Sequence, residues 1–384
     1  MPVAYGFLST YPPTQCGLAT FSAATMRSLT TSDFGDRAGV VRVVDGPTSS
    51  ISPDVVAHLD RSPGASQRAA AALNAFDVAI VQHEYGIYGG DDGEDVIAVL
   101  AELRVPIIVV THTVLDTPTP HQRQTLERVV AAADAVVTMT IAARDRLVRG
   151  YAVDPTKVSV IPHGAVARRS TTPIAADGRP LVLTWGLLGP GKGIEWAIDG
   201  LQRIRRSQPL PRYVVAGQTH PRVRERQGEQ YRVRLRQRAK ARGVSDLVSF
   251  SGSYLDEAAL AALVREASIV LLPYDSREQV TSGVLVEAIA AGKPVIATRF
   301  PHAVELLASG AGILVPQYDG AAIGEAMHRI LSDPELAERM STEARRLAPA
   351  VSWGTVAGQY RRLAAQLLTA IPRAGQLLVN GAKS

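Results

Sequence analysis

The chain is poor in several residue types, and each scarcity excludes something. Its 384 residues include one cysteine, Cys16, so no internal disulfide can form and a zinc site built on thiolates is excluded. Such sparing thiol use fits a reducing compartment, and a cytoplasmic location is expected. No run of about eighteen uninterrupted apolar residues is present. The longest candidate, VVAAADAVVTMTIAA, carries Asp134 in its middle, so no membrane-spanning helix is expected. No basic region with a cleavage site precedes the first strand-like run, and no signal peptide is expected. Lysine is also scarce at five residues, so nearly all of the positive charge is arginine.

What is present is ordinary for a folded protein. Hydrophobic residues make up 46% and charged residues 20%, which excludes a disordered chain, and the length suggests two or three domains. The net charge of +5 is concentrated in PRVRERQGEQYRVRLRQRAKARG, residues 221–243, with nine basic and two acidic residues. Tyr231 is the only aromatic residue in that stretch, whereas grooves for single-stranded nucleic acid interleave aromatics with the charge. It therefore reads as a solvated helix face. No nucleic-acid partner is expected, while peripheral contact with an anionic membrane surface stays open. The acidic cluster GGDDGEDVIAVL, with Asp91, Asp92, Glu94 and Asp95, lacks an Asp-any-Asp pair. Acids opening a helix near Glu94 suit its dipole without an ion, so no metal and no other cofactor is expected.

Short β-branched runs alternate with helical patterns from end to end. VAYGFLST, VVRVV, DVAIVQ, PIIVVTHT, AVVTM and VSVIP are followed, after a gap, by PLVLTWG, RYVVAG, LVSFSG, IVLLPY, PVIAT and GILVP. Runs without strict alternation mark strands buried on both faces. Interleaved stretches such as SQRAAAALNAF, HQRQTLERVVAAA and DEAALAALVREA read as helices, and the alternation predicts α/β domains with parallel sheets. The gap HGAVARRSTTPIAADGRP predicts a linker near 166–178. We expect two doubly wound, Rossmann-like domains facing across a cleft, residues 1–168 and 177–354, with ligands at the carboxyl ends of strands. WGTVAGQYRRLAAQLL predicts a docking helix, and the tail NGAKS a mobile end.

GLLGPGKG, residues 186–193, follows the run PLVLTW and nearly spells a P-loop. Gly186, Gly191 and Lys192 fit, but Gly193 stands where a Ser or Thr hydroxyl would bind magnesium. The helix GIEWAIDGLQRI begins here. Its N-terminus, the glycines and the lysine together favour an anion. The residues leave three readings open: an altered P-loop, another phosphate cradle, or an ordinary turn. A second stretch, YDSREQVTSGVLVEAIAAGKPVIATRFPHAVELL, places a short helix near Thr281, Ser282 and Gly283, whose N–H groups suit a diphosphate. Glu287 lies inside that helix beside Val286, Ala288 and Ile289. A carboxylate there can accept two hydrogen bonds from a ribose diol, and left unpaired it would be costly.

Together these two stretches resemble the retaining glycosyltransferases of family 4, which have the GT-B architecture and hold a nucleotide-sugar donor mainly in the C-terminal domain. The family's donor loop reads Gly-Arg-Leu, three residues, Lys-Gly; this chain keeps Gly186, Leu188, Lys192 and Gly193, with Leu187 in the arginine position. The resemblance implies a diphosphate cradle. Of the family's two glutamates separated by seven residues, the ribose-binding one matches Glu287 and the sugar-contacting one falls on Gln279. Gly17 in STYPPTQCGLATF matches the glycine loop bordering acceptor and donor phosphate, with Gln15 and Cys16 beside it; Cys16 reads as a packing residue. VQHEYGIYGG would place His83, Glu84 and Tyr85 at the acceptor side, and His112 in VVTHT resembles the family histidine near the sugar's C6 hydroxyl. AGQTHP would place Gly217, Gln218 and Thr219 near the diphosphate, and FSGSYLDEAAL would place Ser253 and Tyr254 at the base.

The resemblance implies transfer of a hexose, mannose from GDP-mannose or else glucose from UDP-glucose, to a saccharide or small hydroxyl acceptor. His112, Lys192 and Gln279 would serve catalysis. No carboxylate nucleophile is implied; the leaving diphosphate takes the acceptor's proton, and the protein positions and stabilises charge. A C-terminal helix, about 355–384, would complete the N-terminal domain, with hinge closure on donor binding. Leu187 and Gln279 leave open a nucleotide-sugar-binding homologue without transfer. A GT-B epimerase or phosphorylase also stays open, and a P-loop ATPase lacks its hydroxyl.

Overall fold

The computed structural model describes residues 2–31, 34–46, 48, 52–166, 178–252 and 255–370. Most of the linker segment, 167–177, the tail NGAKS and the part of the expected C-terminal helix beyond residue 370 lie outside them. The chain divides into two compact units. Met1–Pro162 forms the first together with the helix Trp353–Ala370, and His163–Ser352 forms the second.

The first unit holds seven strands: β1 (Ala4–Ser9), β2 (Arg37–Val43), β3 (Val55–Leu59), β4 (Val78–His83), β5 (Ile107–Thr111), β6 (Ala135–Thr138) and β7 (Val158–Val160). All are parallel, in the order β3-β2-β1-β4-β5-β6-β7. Every residue of β1, β4 and β5 is buried, as unbroken apolar strands covered on both faces must be. The reading of six strands here missed β3. It is a five-residue edge strand, mostly half-exposed, so it needs no apolar run. The helix Trp353–Ala370 packs Val356, Ala357, Tyr360 and Ala364 against Tyr5, Phe7 and Phe21. Asp134, which interrupts the apolar stretch, is explained locally: its carboxylate accepts the backbone N–H of Ile107 at 2.8 Å.

The second unit holds β8 (Leu181–Trp185), β9 (Arg212–Ala216), β10 (Val248–Ser251), β11 (Ala267–Leu272), β12 (Val295–Thr298) and β13 (Gly312–Val315), in the parallel order β10-β9-β8-β11-β12-β13. One face of the sheet is covered by Ile194, Ile198, Leu201 and Leu235, the other by Leu285, Ile289, Ala303 and Ala344. Both sheets change direction of growth beside their first strand, between β1 and β4 and between β8 and β11. Such switch points open a crevice at the carboxyl ends of the strands.

The arginine-rich stretch forms two helices, Pro221–Gln227 and Gln230–Ala241. It is not simply a solvated face. Arg232 is buried and donates to the carbonyls of Gly217 and Ser251, both at 2.8 Å, tying the ends of β9 and β10 together. Arg238 and Arg242 both grip Asp199. Among the described residues no helix is long and apolar enough to cross a membrane.

Candidate active site

In the second unit the loops after β8 and β9 run together past the strand ends. Gly186 N–H donates to Ala216 O at 3.0 Å, and Leu188 N–H to Gln218 O at 2.9 Å. Gly217, at φ +133, lies so close that a Cβ would sit 2.1 Å from Gly186 O, so glycine is required there for close approach. Leu188 is buried in the core, while Leu187 is half-buried. The question raised by Gly193 is settled sterically. It stands at φ +63, and a Cβ there would lie 1.7 Å from the carbonyl oxygen of Pro273. No Ser or Thr fits, so this is not a P-loop that lost its hydroxyl.

Gly193 opens the helix Ile194–Arg203 without a side-chain cap, leaving its first N–H groups to a ligand or water. The Lys192 ammonium lies 4.3 Å from the centroid of the Tyr274 ring, over its face. That contact holds the cation in place without neutralising it. The loop is tied to the segment after β11 by Asp275 N–H donating to Gly191 O at 3.0 Å, and by Trp196 Nε1 donating to Asp275 at 2.8 Å.

That segment leads into the helix Gly283–Ala290, capped by Ser282, whose Oγ accepts from Leu285 N–H at 3.3 Å. The expectation that Ser282 offers its own N–H to a diphosphate needs correction: this N–H donates to His302 Nδ1 at 2.8 Å. Thr281 Oγ1 is buried and has no partner among the described residues. Gly283 is tight against His163, with Nε2 only 2.9 Å from where a Cβ would stand. Burial pushes His302 down to about 3 and His163 to about 4, so both rings are neutral near pH 7. Gln279 turns its amide back onto Thr281 O at 3.1 Å. Glu287 is half-exposed among buried neighbours, and its Oε2 accepts the indole N–H of Trp185 at 3.2 Å.

Sequence reasoning missed His302, His163 and Trp185. Trp185 could have been suspected, since it ends the strand that enters the glycine loop. The histidines carry no local signal, because His302 sits in an apolar stretch and His163 in a loop. Ser253 and Tyr254 lie outside the described residues.

In the first unit Cys16 caps the helix Gly17–Thr30 with its sulfur, 3.4 Å from Ala19 N, and also lies 3.3 Å from Thr10 Oγ1. It therefore acts as a helix cap as well as a small packing residue. Gln15 and Gly17 are exposed beside it. His83 does not open onto the surface as expected. It ends β4 buried, with both ring nitrogens unpartnered among the described residues, and burial lowers its pKa to about 4, so the ring is neutral near pH 7. Tyr85 stacks edge-on against it at 5.1 Å, with its hydroxyl also buried. Glu84 accepts from Thr113 Oγ1 at 2.6 Å and from Tyr85 N–H at 3.0 Å. His112 is half-buried, its Nε2 2.7 Å from Gln82 Oε1 and its ring edge-on to Phe21. The glutamine oxygen can only accept, so with this amide orientation Nε2 carries the proton.

The acidic cluster is arranged differently from the expectation. The helix starts at Val96, and Asp92 and Glu94 flank His121 at 2.9 and 3.4 Å on its two ring nitrogens. Among the described residues no group of three His, Cys, Asp or Glu side chains could hold a metal ion.

The second unit thus gathers Gly186, Lys192, Gly217, Gln218, Gln279, Thr281, Ser282, Gly283 and Glu287 at the ends of β8, β9 and β11, and the first gathers His83, Glu84, Tyr85 and His112 at the ends of β4 and β5. Residues 171–347 match the family described as glycosyl transferases group 1, and residues 29–169 match glycosyltransferase family 4. A D-inositol 3-phosphate glycosyltransferase of Streptomyces bingchenggensis is 30% identical over 66% of this chain and 60% of its own length, so this chain spans only about three fifths of that relative. The enzyme of the same name from Streptomyces avermitilis is 29% identical over 81% of this chain and 74% of its own. Among solved structures, the Anabaena protein Alr3699/HepE in complex with UDP superposes with a TM-score of 0.76 at 18% identity, covering 95% of this chain and all of that one. Two Rossmann-like parallel sheets and matches to both family descriptions, which together span most of the sequence, lead to one conclusion: the chain belongs to the group 1, family 4 glycosyltransferases of GT-B architecture.

Proposed function

We propose that this protein transfers a hexose from a nucleoside-diphosphate sugar to a hydroxyl of a saccharide or small metabolite, with retention of anomeric configuration and without a metal ion. The observation that carries the reading is the convergence at the β8–β11 switch point. There Lys192 and the N-terminus of Ile194–Arg203 stand beside the loop that leads to Glu287, and the two are joined through Asp275 and Trp185. Such a set suits a diphosphate flanked by a ribose.

In the proposed reaction the bond from the anomeric carbon to the diphosphate oxygen breaks as the acceptor oxygen bonds to the same face. The acceptor's proton passes to the departing diphosphate. Lys192 and the helix terminus stabilise the charge that develops there, which is electrostatic catalysis by groups already in place. Gln279 hydrogen-bonds a sugar hydroxyl, and His112 binds the sugar from the first unit. Gly17 borders the donor phosphate, and Gln15, Glu84 and Tyr85 serve the acceptor side. The buried ring of His83 supports Tyr85 instead of touching ligand. The donor reads first as GDP-mannose and next as UDP-glucose; the UDP complex of the Anabaena protein supports the second.

The test is thermal stabilisation in EDTA by GDP, UDP and ADP and their sugar conjugates, followed by release of nucleoside diphosphate with acceptors. A ligand at 100 times its Kd raises stability by about 2.7 kcal/mol. Stabilisation by GDP or UDP without magnesium, with turnover, is the expected result. Stabilisation by no nucleoside diphosphate overturns the reading. Tight binding without turnover on any acceptor reduces it to a nucleotide-sugar-binding homologue.

A further inference from the structure

The loops after β8 and β9 run side by side as a short parallel ladder, with Leu188 and Thr219 as its bridge pair. Leu188 N–H donates to Gln218 O at 2.9 Å, and His220 N–H donates back to Leu188 O at 2.8 Å. Leu188 and Thr219 are both buried, and the Thr219 hydroxyl donates to Glu229 at 2.6 Å. Side chains alternate across a pleated chain, so Gln218 and His220, both half-buried, stand on the opposite face. The register neighbour of His220 is Gly189, which puts no side chain over it. A Cβ on Gly189 would lie 3.1 Å from Val223 Cγ2, so the helix Pro221–Gln227 rests directly on the glycine loop.

His220 caps that helix. Its Nδ1 accepts the Arg222 N–H at 3.2 Å, so with this ring orientation the proton of the neutral imidazole is on Nε2. Among the described residues Nε2 has no partner. The charged groups that act on the ring are Lys192 from the glycine loop and Arg222 and Glu225 from its own helix. Burial lowers its pKa, Arg222 and Lys192 lower it further, and Glu225 opposes them. The ring is therefore a neutral donor near pH 7. A cap alone asks only for an acceptor, which Asn, Asp or Ser supplies at least as well. The second nitrogen has no task within the described residues. It is a fixed N–H on the outward face of the ladder, in the field of the Lys192 ammonium.

We propose that His220 is a further donor-site residue, giving its Nε2–H to an oxygen of the diphosphate that Lys192 and the helix Ile194–Arg203 attract. The proposal rests on the transferase reading, in which the second unit holds the nucleoside-diphosphate sugar. The cap sets the tautomer and the ladder sets the backbone, so the donor is in place before the ligand arrives. Its hydrogen bond strengthens as charge moves onto the departing diphosphate. A neutral donor also adds to Lys192 without repelling it, as a second cation there would.

The experiment crosses two substitutions in the full chain, each keeping one half of the ring's bonding. His220→Asn keeps an acceptor for the Arg222 N–H and lacks the distal N–H. His220→Gln reaches the Nε2 position with its amide N–H and loses the cap. Calorimetry follows binding of GDP or UDP, whichever the wild type binds. Unfolding curves follow stability, and turnover of the matching nucleotide sugar is measured on the same samples. His220→Asn should bind at least about tenfold more weakly, with an unfolding midpoint near that of the wild type. His220→Gln should bind within about threefold of the wild type at a lower midpoint, since a lost cap costs stability. Wild-type affinity in His220→Asn overturns the proposal. So does affinity that follows the unfolding midpoint across the two variants, which would make the histidine a cap alone. If His220→Gln does not fold, His220→Asn decides, because its cap is intact. Failure of the wild type to bind any nucleoside diphosphate overturns the proposal together with the transferase reading. The tenfold loss in His220→Asn, with no turnover on any acceptor, counts against the transferase reading and leaves His220 as a donor-site residue.

Discussion

Trp185 donates its indole N–H to Glu287 across 3.2 Å, joining the last residue of β8 to the helix that follows β11. The two residues are 102 positions apart, yet they lie on neighbouring strand–helix units at the switch point. The bond engages one carboxylate oxygen and helps fix the orientation of the group that the proposed function assigns to the ribose. Replacing Glu287 with Gln keeps the volume but removes the charge that, in the proposed function, strengthens both hydrogen bonds from the ribose. Hydrogen bonds to charged groups contribute about 1.5–3 kcal/mol. Nucleoside diphosphate affinity should fall at least about tenfold, with the urea midpoint little changed, as calorimetry and unfolding curves on the same sample will read.

Lys192→Met removes a cation that the proposed chemistry needs most when the diphosphate departs. Loss of one such preorganised group costs about a hundred- to a thousandfold in turnover. The fall should appear chiefly in kcat, with a smaller rise in donor KM. Equal loss in binding and turnover would make the lysine a ground-state ligand only.

Gly193→Ser would complete the P-loop pattern on paper. In the structure it forces a side chain into Pro273 O and a non-glycine residue into the left-handed region. The variant should lose about 2–4 kcal/mol of stability and gain no magnesium-dependent ATP binding. Differential scanning calorimetry with and without ATP and magnesium checks both outcomes.

Histidines give stability opposite slopes with pH. His83 and His302 are buried with folded pKa values lowered to about 4 and about 3. Their unfolded counterparts protonate near 6.5, so the unfolded chain binds more protons below that pH. Each then costs about 1.4 kcal/mol per pH unit as the pH falls towards the folded value. His302→Asn should flatten the acid limb of a plot of unfolding midpoint against pH. His121 works the other way. Its hydrogen bond to Asp92, with Glu94 nearby, raises its pKa, so its contribution is full below the unfolded value and fades as pH rises through the folded one. His121→Gln should remove a small loss of stability on the neutral-to-alkaline side.

The sequence carries the sheets plainly because central strands of a parallel sheet must be apolar throughout. Runs such as IIVVT and LVLTW can hardly be read otherwise. An edge strand is under no such requirement, and Val55–Leu59 passed unnoticed for that reason. The glycine loop after β8 was legible because backbone geometry forces glycine at Gly193 and Gly217. Partners brought together only by folding left no trace. Nothing near Ser282 announces that His302, 20 residues on, takes its N–H. Arg232 looked like one more surface arginine until its contacts with Gly217 and Ser251 were seen.

The return of the helix Trp353–Ala370 to the first unit has a consequence for synthesis. Arg361 bonds Asp36 and the carbonyls of Ser28 and Leu29, and Tyr360 is fully enclosed beside Tyr5 and Phe7. These contacts belong to the half of the molecule that leaves the ribosome first, but the residues making them leave after the entire second unit. The earlier-made sheet must wait, with the seat for Tyr360 uncovered, while the later one folds. A nascent chain halted before Trp353 would expose that apolar seat to chaperones, and a short peptide carrying residues 353–370 would be the fragment that closes it.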